Sequence, residues 1–338
     1  MKKLYFYICA VIMSITVAKA QQAVAVLTHE GTSKTFSGYN ALQNAYKEAA
    51  HGDLITLSSG TFGAVETIEK AVKIRGAGME ADTVYHTSPT ILVGDITLNI
   101  QDAGDNHFRL EGIYNNNVIY YMKDQSAPEF IKCRLNTITK GNYEELGQTY
   151  YGKVINAMIF HSRILGYIAC TEGSTITCIN SHIKNPYCYH ETSSVFVLQN
   201  CVITGGNWSD DIRLYGSTLT NCVMAPIYTY HTTLNDKTIF NNCLLKSNLL
   251  PDKTKNTYQS FDNVLAVFKT YNGEHGQDHD AEDFMLNDEY NSKYGMYSGD
   301  FPYSPRLSGP HIQLMEVAPR TSDAGTLNVR IKVENTIE

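Results

Sequence analysis

The chain has 338 residues and no cluster of basic residues. Its 27 Lys and Arg stand against 34 Asp and Glu, a formal net charge of −7 at pH 7. That balance argues against a nucleic-acid partner, which needs a basic patch or stripe to neutralise phosphates. Beyond the first twenty residues no apolar run is long enough to cross a bilayer as a helix, so no transmembrane segment is expected. Tryptophan occurs once. The calcium-loop pattern, with its central Gly and terminal Glu, is missing, and no His/Cys set has fixed ligand spacing. No cofactor and no metal site are therefore expected, and nothing in the sequence sets an oligomeric state.

What is present starts with a leader. Met1-Lys2-Lys3 is followed by an apolar run from Leu4 to about Val17 and by Ala18-Lys19-Ala20, a small-x-small pattern before Gln21. This predicts a signal peptide over residues 1–20 and an exported protein in the periplasm, on the cell surface or outside the cell. Cys9 lacks the context of a lipid-anchor site. Tyrosine is abundant, at 23, alongside threonine and asparagine, which suits strands and turns more than helices.

The main signal is a repeat. Asn200-Cys201, Asn221-Cys222 and Asn242-Cys243 recur every 21 residues. The frame extends forward to Asn263-Val264 and back to Asn180-Ser181, His161-Ser162 and Lys132-Cys133. Three residues before the Cys-like position stand Phe130, Ile159, Cys178, Leu198, Leu219, Phe240 and Phe261. Two residues after it stand Leu135, Ile164, Ile183, Ile203, Met224, Leu245 and Ala266. A unit this short cannot bury its own apolar face, but stacked units share a continuous core. The Cys/Ser row is expected inside, as small packed residues that stay reduced. The Asn row is expected on the turn side, as a ladder of stacked amides. A leucine-rich horseshoe fails, because the row that should hold Asn or Cys carries Tyr167, Pro186, Gly206, Ile227 and Asn248. The longer step after Cys133 predicts a projecting loop over residues 140–152.

Ahead of the repeats, Leu42, Ala45, Tyr46 and Ala49 have helical spacing and Gly52 stops the helix. "ALQNAYKEAAHGDLITLSSGTF…KAVKIRGAG" resembles the N-terminal cap and first coils of the pectate-lyase-like superfamily. "GMYSGDFPYSP…GPHI" followed by "GTLNVRIKV" resembles the closing region of secreted β-helix proteins common in Bacteroidetes. The resemblance implies an all-β, single-stranded right-handed parallel β-helix with an N-terminal helical cap. It would form one domain over residues 21–338, with coils over about 54–283 and a C-terminal cap over about 284–338. It implies carbohydrate more than any particular activity, because one fold hosts many functions.

Hydrolases of this superfamily resemble one another in Asn-x-Asp, Asp-Asp, Gly-His-Gly and Arg-x-Lys clusters. Asp210-Asp211, Glu274-His275-Gly276 and Arg330-Ile331-Lys332 imitate three of them. His275 stands about three coils too far on, Arg330 to Lys332 lie in an alternating strand, and no Asn-x-Asp lies one coil before, so these matches are set aside. The repeat offers a better candidate. Nine and ten residues after the Cys-like position come His190, Asp210 and His231, then Glu191 and Asp211. Beside them stand Tyr187, Tyr189, Trp208, Tyr228 and Tyr230. If the register holds, His190, Asp210, Asp211 and His231 form a catalytic row, since carboxylates beside imidazoles act as acid and base. Tyr187, Tyr189, Glu191, Trp208, Tyr228 and Tyr230 form a binding row, since aromatic faces suit sugar rings. The ordinary alternative is a solvated turn side. Cys170 and Cys188, on adjacent coils, stand either bridged or as two thiols. The run His275, Asp278, His279, Asp280, Glu282 and Asp283 reads as an acidic loop, with a metal loop as its rival.

The expected function is extracellular glycan binding without catalysis. The alternatives are a polysaccharide lyase or glycoside hydrolase acting on a uronic-acid-containing polysaccharide, and a structural or adhesive surface protein.

Overall fold

Every interior column of the repeat follows from strand alternation and a near-constant step, and the structure shows the columns directly. A computed structural model describes residues 23–82, 87–145, 148–205, 211–249, 251–274, 279–307, 309–317 and 329–336. The chain is all-β with few helices, and most of its strands lie in two long sheets of eleven and fourteen strands. Between successive rungs the pairing is parallel. In the first sheet Ile55, Ile74, Leu110, Phe130, Ile159, Cys178, Leu198, Leu219 and Phe240 stand one above another. In the second, Leu135, Ile164, Ile183, Ile203, Met224 and Leu245 do the same. All of these are buried, and each apolar one contributes roughly 1.5–3 kcal/mol. The result is a parallel, solenoid-like stack.

The corner between the two sheets explains the Asn-Cys dipeptide. Lys132, His161, Asn180, Asn200, Asn221 and Asn242 all have φ between 44° and 53°. That left-handed conformation costs most L residues roughly 1–2 kcal/mol and costs Asn least. Asn is there first to turn the chain. Two amide contacts of the expected ladder do form, Asn242 Nδ2 to Asn221 Oδ1 at 2.8 Å and Asn200 Nδ2 to Asn180 Oδ1 at 3.5 Å. The next residue, Cys or Ser, is fully buried, and its side chain donates to backbone carbonyls. Cys201 Sγ bonds Cys178 O at 3.3 Å and Gln199 O at 3.2 Å. Ser162 Oγ bonds Phe130 O at 3.1 Å and Phe160 O at 2.9 Å. Thiol and hydroxyl share one column because each supplies the same small donor. Cys133, Cys201, Cys222 and Cys243 are buried and free, as are Cys170 and Cys188, which face each other in register.

One expectation differs from the structure. Phe261 does not continue the Phe240 column and Ala266 does not continue that of Leu245. The strand Tyr258–Phe261 pairs with Cys243–Lys246, so Phe261 stands opposite Lys246, and Val264–Ala266 is a turn of 3-10 helix. Asn263 does not turn a sheet corner there; its side chain accepts Leu265 N. The strand Tyr258–Phe261 is the last of its sheet, and among the described residues no complete rung follows it to reward the repeat.

The region expected to cap the stack from about residue 284 is described in part. Up to residue 307 it runs back along the side of the stack, over the left-handed corners in reverse order. Tyr294 reaches Asn242 and Gly295 N donates to Asn221 O. Asn180 Nδ2 donates to Met296 O at 2.9 Å and Ser298 O at 2.8 Å. His161 Nε2 meets Phe301 O at 3.0 Å, Lys132 bonds Arg306 O, and Leu307 lies against Gly112. Beneath this strap Arg163 is completely buried, paired with Glu80 at 2.7 Å and bonded to the His279 carbonyl. The beginning also departs from a plain cap. Val24–His29 pairs antiparallel with both Thr32–Ser37 and Leu54–Leu57 before the helix Ala41–Glu48 packs beside them.

Candidate functional site

On the second sheet, beyond its interior columns, polar and aromatic side chains form a lane along the stack. The lane begins at the projecting loop, which is an antiparallel hairpin of Asn142–Glu145 with Gln148–Tyr151. Gly141 and Gly152 form its neck, with Gly152 N bonded to Gly141 O. The neck crosses strand Tyr114–Tyr121 so closely that a Cβ at Gly152 would collide with the Tyr121 carbonyl. Glycine is needed there for close approach. The hairpin presents Tyr151, 52% exposed, to Lys140. The Lys140 ammonium lies 3.3 Å from the centre of the Tyr151 ring and 4.2 Å from that of Tyr189 on the far side. Burial pulls the Lys140 ammonium below its ordinary pKa.

Tyr189 packs edge-on against Tyr187, with ring centres 4.8 Å apart, and the Arg213 guanidinium lies 4.5 Å over the Tyr187 ring. Arg213 stands opposite Tyr187 in the sheet. Arg213 Nη2 donates to Asp211 Oδ2 at 3.2 Å, and Asp211 Oδ1 meets His231 Nδ1 at 2.9 Å. His231 and Tyr230 belong to a 3-10 turn, Thr229–His231, and Tyr230 is 64% exposed. Tyr228 and Tyr230 have ring centres 5.4 Å apart. Some contacts lie within a rung and others cross between rungs, and together they join the lane into one connected strip from Tyr151 to Tyr230.

The electrostatics within the strip are those of a held carboxylate. Partial burial pushes the Asp211 carboxyl up, but the hydrogen bonds from His231 and Arg213 outweigh it and leave the group below its ordinary value. The imidazole has little freedom. Its Nδ1 is committed to Asp211 and its Nε2 is buried. A general acid or base needs a nitrogen within reach of the substrate proton, and here one is bonded to Asp211 and the other has no exposed surface.

Of the expected catalytic row, the structure brings Asp211 and His231 together. His190 is exposed in the turn after strand His182–Cys188. Tyr187 pairs with Arg213 and Arg213 with Thr233, so the steps here are 26 and 20 residues rather than 21. That shift carries His190 past the level of Asp211. Asp210 and Trp208 lie outside the described residues. Of the expected binding row, Tyr187, Tyr189, Tyr228 and Tyr230 are in the strip. Glu191 is exposed, and its carbonyl accepts Asn235 Nδ2 at 3.5 Å.

Lys140, Tyr151 and Arg213 were not singled out by the sequence. Arg213 had a signal, because Asp211, just before strand Ile212–Leu214, is two residues from Arg213, the spacing that puts side chains on one face of extended chain. Lys140 and Tyr151 flank the insertion that the broken period had already marked.

Elsewhere, the acidic run acts as structure where it is described. Asp283 accepts Asp280 N at 3.0 Å at the start of 3-10 turn Ala281–Phe284, and His279 meets Asp283 at 3.4 Å. His275 and Asp278 lie outside the described residues. Arg330 to Lys332 belong to a strand paired with Gly309–Val317. Cys170 Sγ donates to Ser174 O at 3.4 Å, and its thiol is held up by the hydrogen bond to Cys188 and by burial.

No family model, curated protein or solved structure matches this chain.

Proposed function

We propose that this protein binds an extracellular glycan without cleaving it, along the strip from Tyr151 to Tyr230. The observation that carries the reading is the connected series of rings and cations. Tyr151, Tyr189 and Tyr230 stay exposed while Lys140, Arg213 and Asp211 lock their neighbours in place. Aromatic faces with a polar edge suit sugar rings, and a site held by its own contacts loses little entropy on binding. Lys140 and Arg213 favour a sugar that carries carboxylates. The buried imidazole nitrogen weighs against the lyase or hydrolase alternative.

The same reading includes export by a leader over residues 1–20 and kinship with pectate-lyase-like β-helices. The stack winds right-handed, the sense that twisted parallel strands favour in crossover connections. Helix Ala41–Glu48 closes its first rung, with Ala41, Leu42, Ala45 and Tyr46 buried.

The test is retention on gels cast with acidic and neutral polysaccharides, read beside assays for new reducing ends and unsaturated sugars. Retardation on at least one glycan, lost in Tyr189→Ala and without product formation, is expected. Product formation that disappears in His231→Ala would make the protein an enzyme. Free migration on every glycan would remove the reading.

A further inference from the structure

Among the described residues strand Thr232–Leu234 pairs only with Ile212–Leu214, so the described lane of strands beneath the strip ends there. Beyond it lies a cavity of about 380 Å³, lined among others by Thr232, Leu234, Asn248, Leu249, Asp252 and Lys255. Asn248, Leu249, Pro251, Asp252, Lys255 and Asn256 form its far wall. That wall is tied down. Asn256 Oδ1 accepts Phe240 N at 2.8 Å, its Nδ2 donates to Asp252 O at 2.7 Å, and Tyr258 Oη donates to Pro251 O at 3.0 Å. On the near side Asn235 Oδ1 accepts Gly216 N at 2.9 Å. The Thr232 hydroxyl is buried with no hydrogen-bond partner among the described residues. A buried, unbonded hydroxyl is uncommon and calls for a partner.

The cavity abuts the strip through its own chain. Thr229 and Thr232 line it, while Tyr230 and His231 between them belong to the strip. From the rung of Lys140 to that of His231 is four steps, about 19 Å at about 4.8 Å a rung. A chain laid along that length reaches the cavity.

We propose that this cavity takes the terminal sugar of the glycan, so that the protein recognises a chain end rather than a chain interior. The inference rests on the glycan-binding reading and adds polarity to it. Amide, carboxylate and ammonium groups from Asn248, Asp252 and Lys255 match the dense hydroxyls of a terminal unit, with the Asp252 carboxylate held in place by Thr254. Leu234 and Leu249 supply an apolar wall for its ring face.

Calorimetric titration of the full mature chain tests this, using oligosaccharides of two to eight units cut from whichever polysaccharide retards it. The parent polymer is measured too, free and with both ends coupled to beads. End recognition predicts one binding site per chain whatever its length, and loss of binding when both ends are coupled. Lys255→Ala, an exposed change, and Thr232→Trp, which fills the cavity, are each expected to weaken an oligosaccharide about tenfold. Sites that rise in number with chain length, or undiminished binding by both variants and to the end-coupled polymer, would overturn the end pocket while leaving the glycan reading intact. Failure of every polysaccharide to bind would overturn both.

Discussion

Two polar columns climb this stack, and they differ in what meets them. The left-handed corner column, Lys132 to Asn242, is met by the protein's own chain, with Asn180, Asn200, His161 and Lys132 bonding carbonyls between Met296 and Arg306. The aromatic column, Tyr151 to Tyr230, bonds within itself and keeps three rings exposed. Both repeat with the rungs, and both looked like turn-side polar rows. Only tertiary cover separates them. A polar row satisfied by backbone is structural, whereas a rigid row of rings left to solvent is free to meet a ligand.

The comparison is broken most severely at Arg163. Arg163→Met strips the buried partner from Glu80 and from the His279 carbonyl. Removing one member of such a pair costs about 3–5 kcal/mol, so a marked fall in the urea midpoint is expected, with glycan retention intact below the transition. A fall in retention before unfolding would show that the two columns are coupled.

Asn180 separates conformation from bonding. Asn180→Gly keeps the left-handed turn and loses two strap bonds, an expected loss of about 1–2 kcal/mol. Asn180→Leu adds roughly 1–2 kcal/mol of strain. Thermal unfolding should rank them wild type, Gly, Leu. Equal midpoints for the two variants would mean that the corner does not select Asn.

Acid should act on the strapped side first. Burial, and then Arg163, press His182 well below its ordinary value of 6.5. Its contribution to stability is therefore complete above that value and lost as pH falls below it, because the unfolded chain takes up the proton. The slope is at most about 1.4 kcal/mol per pH unit for one proton. Chemical unfolding between pH 7.5 and 5 reads it, and a flat profile would contradict the burial of the neutral ring.

On the open side, Tyr189→Ala should weaken glycan binding about tenfold, with a stability change within about 0.5 kcal/mol, the usual range for exposed sites. Asp211 gives the smallest effect. Its lowered carboxyl contributes above the ordinary carboxylate range, and the contribution fades as pH falls through the folded-state value. Retention should therefore weaken only in strong acid, and Asp211→Asn should remove that dependence.

Much of the stack was legible in the letters. The column from Phe130 to Phe240 and that from Leu135 to Leu245 follow from a step near 21, because strand alternation fixes which letters face inward. The site was legible in part. Tyr187, Tyr189, Tyr228, Tyr230, Asp211 and His231 were marked by their place in the repeat. Lys140, Tyr151 and Arg213 were not, because their contacts depend on a hairpin folding back and on a lengthened step between Tyr187 and Arg213.

The sequence by itself determined the rungs, the buried Cys/Ser row and the recurrence of Asn at the corners. These are local demands of side-chain alternation, small donors and left-handed φ, and each repeats with the chain. Only the tertiary structure decided that residues 294–307 lie over one column, that Phe261 pairs opposite Lys246 and that Ala266 leaves the sheet. It alone set a walled cavity beyond Thr232. Those outcomes depend on non-periodic segments finding surfaces far away in sequence, and no spacing between letters encodes a meeting of that kind.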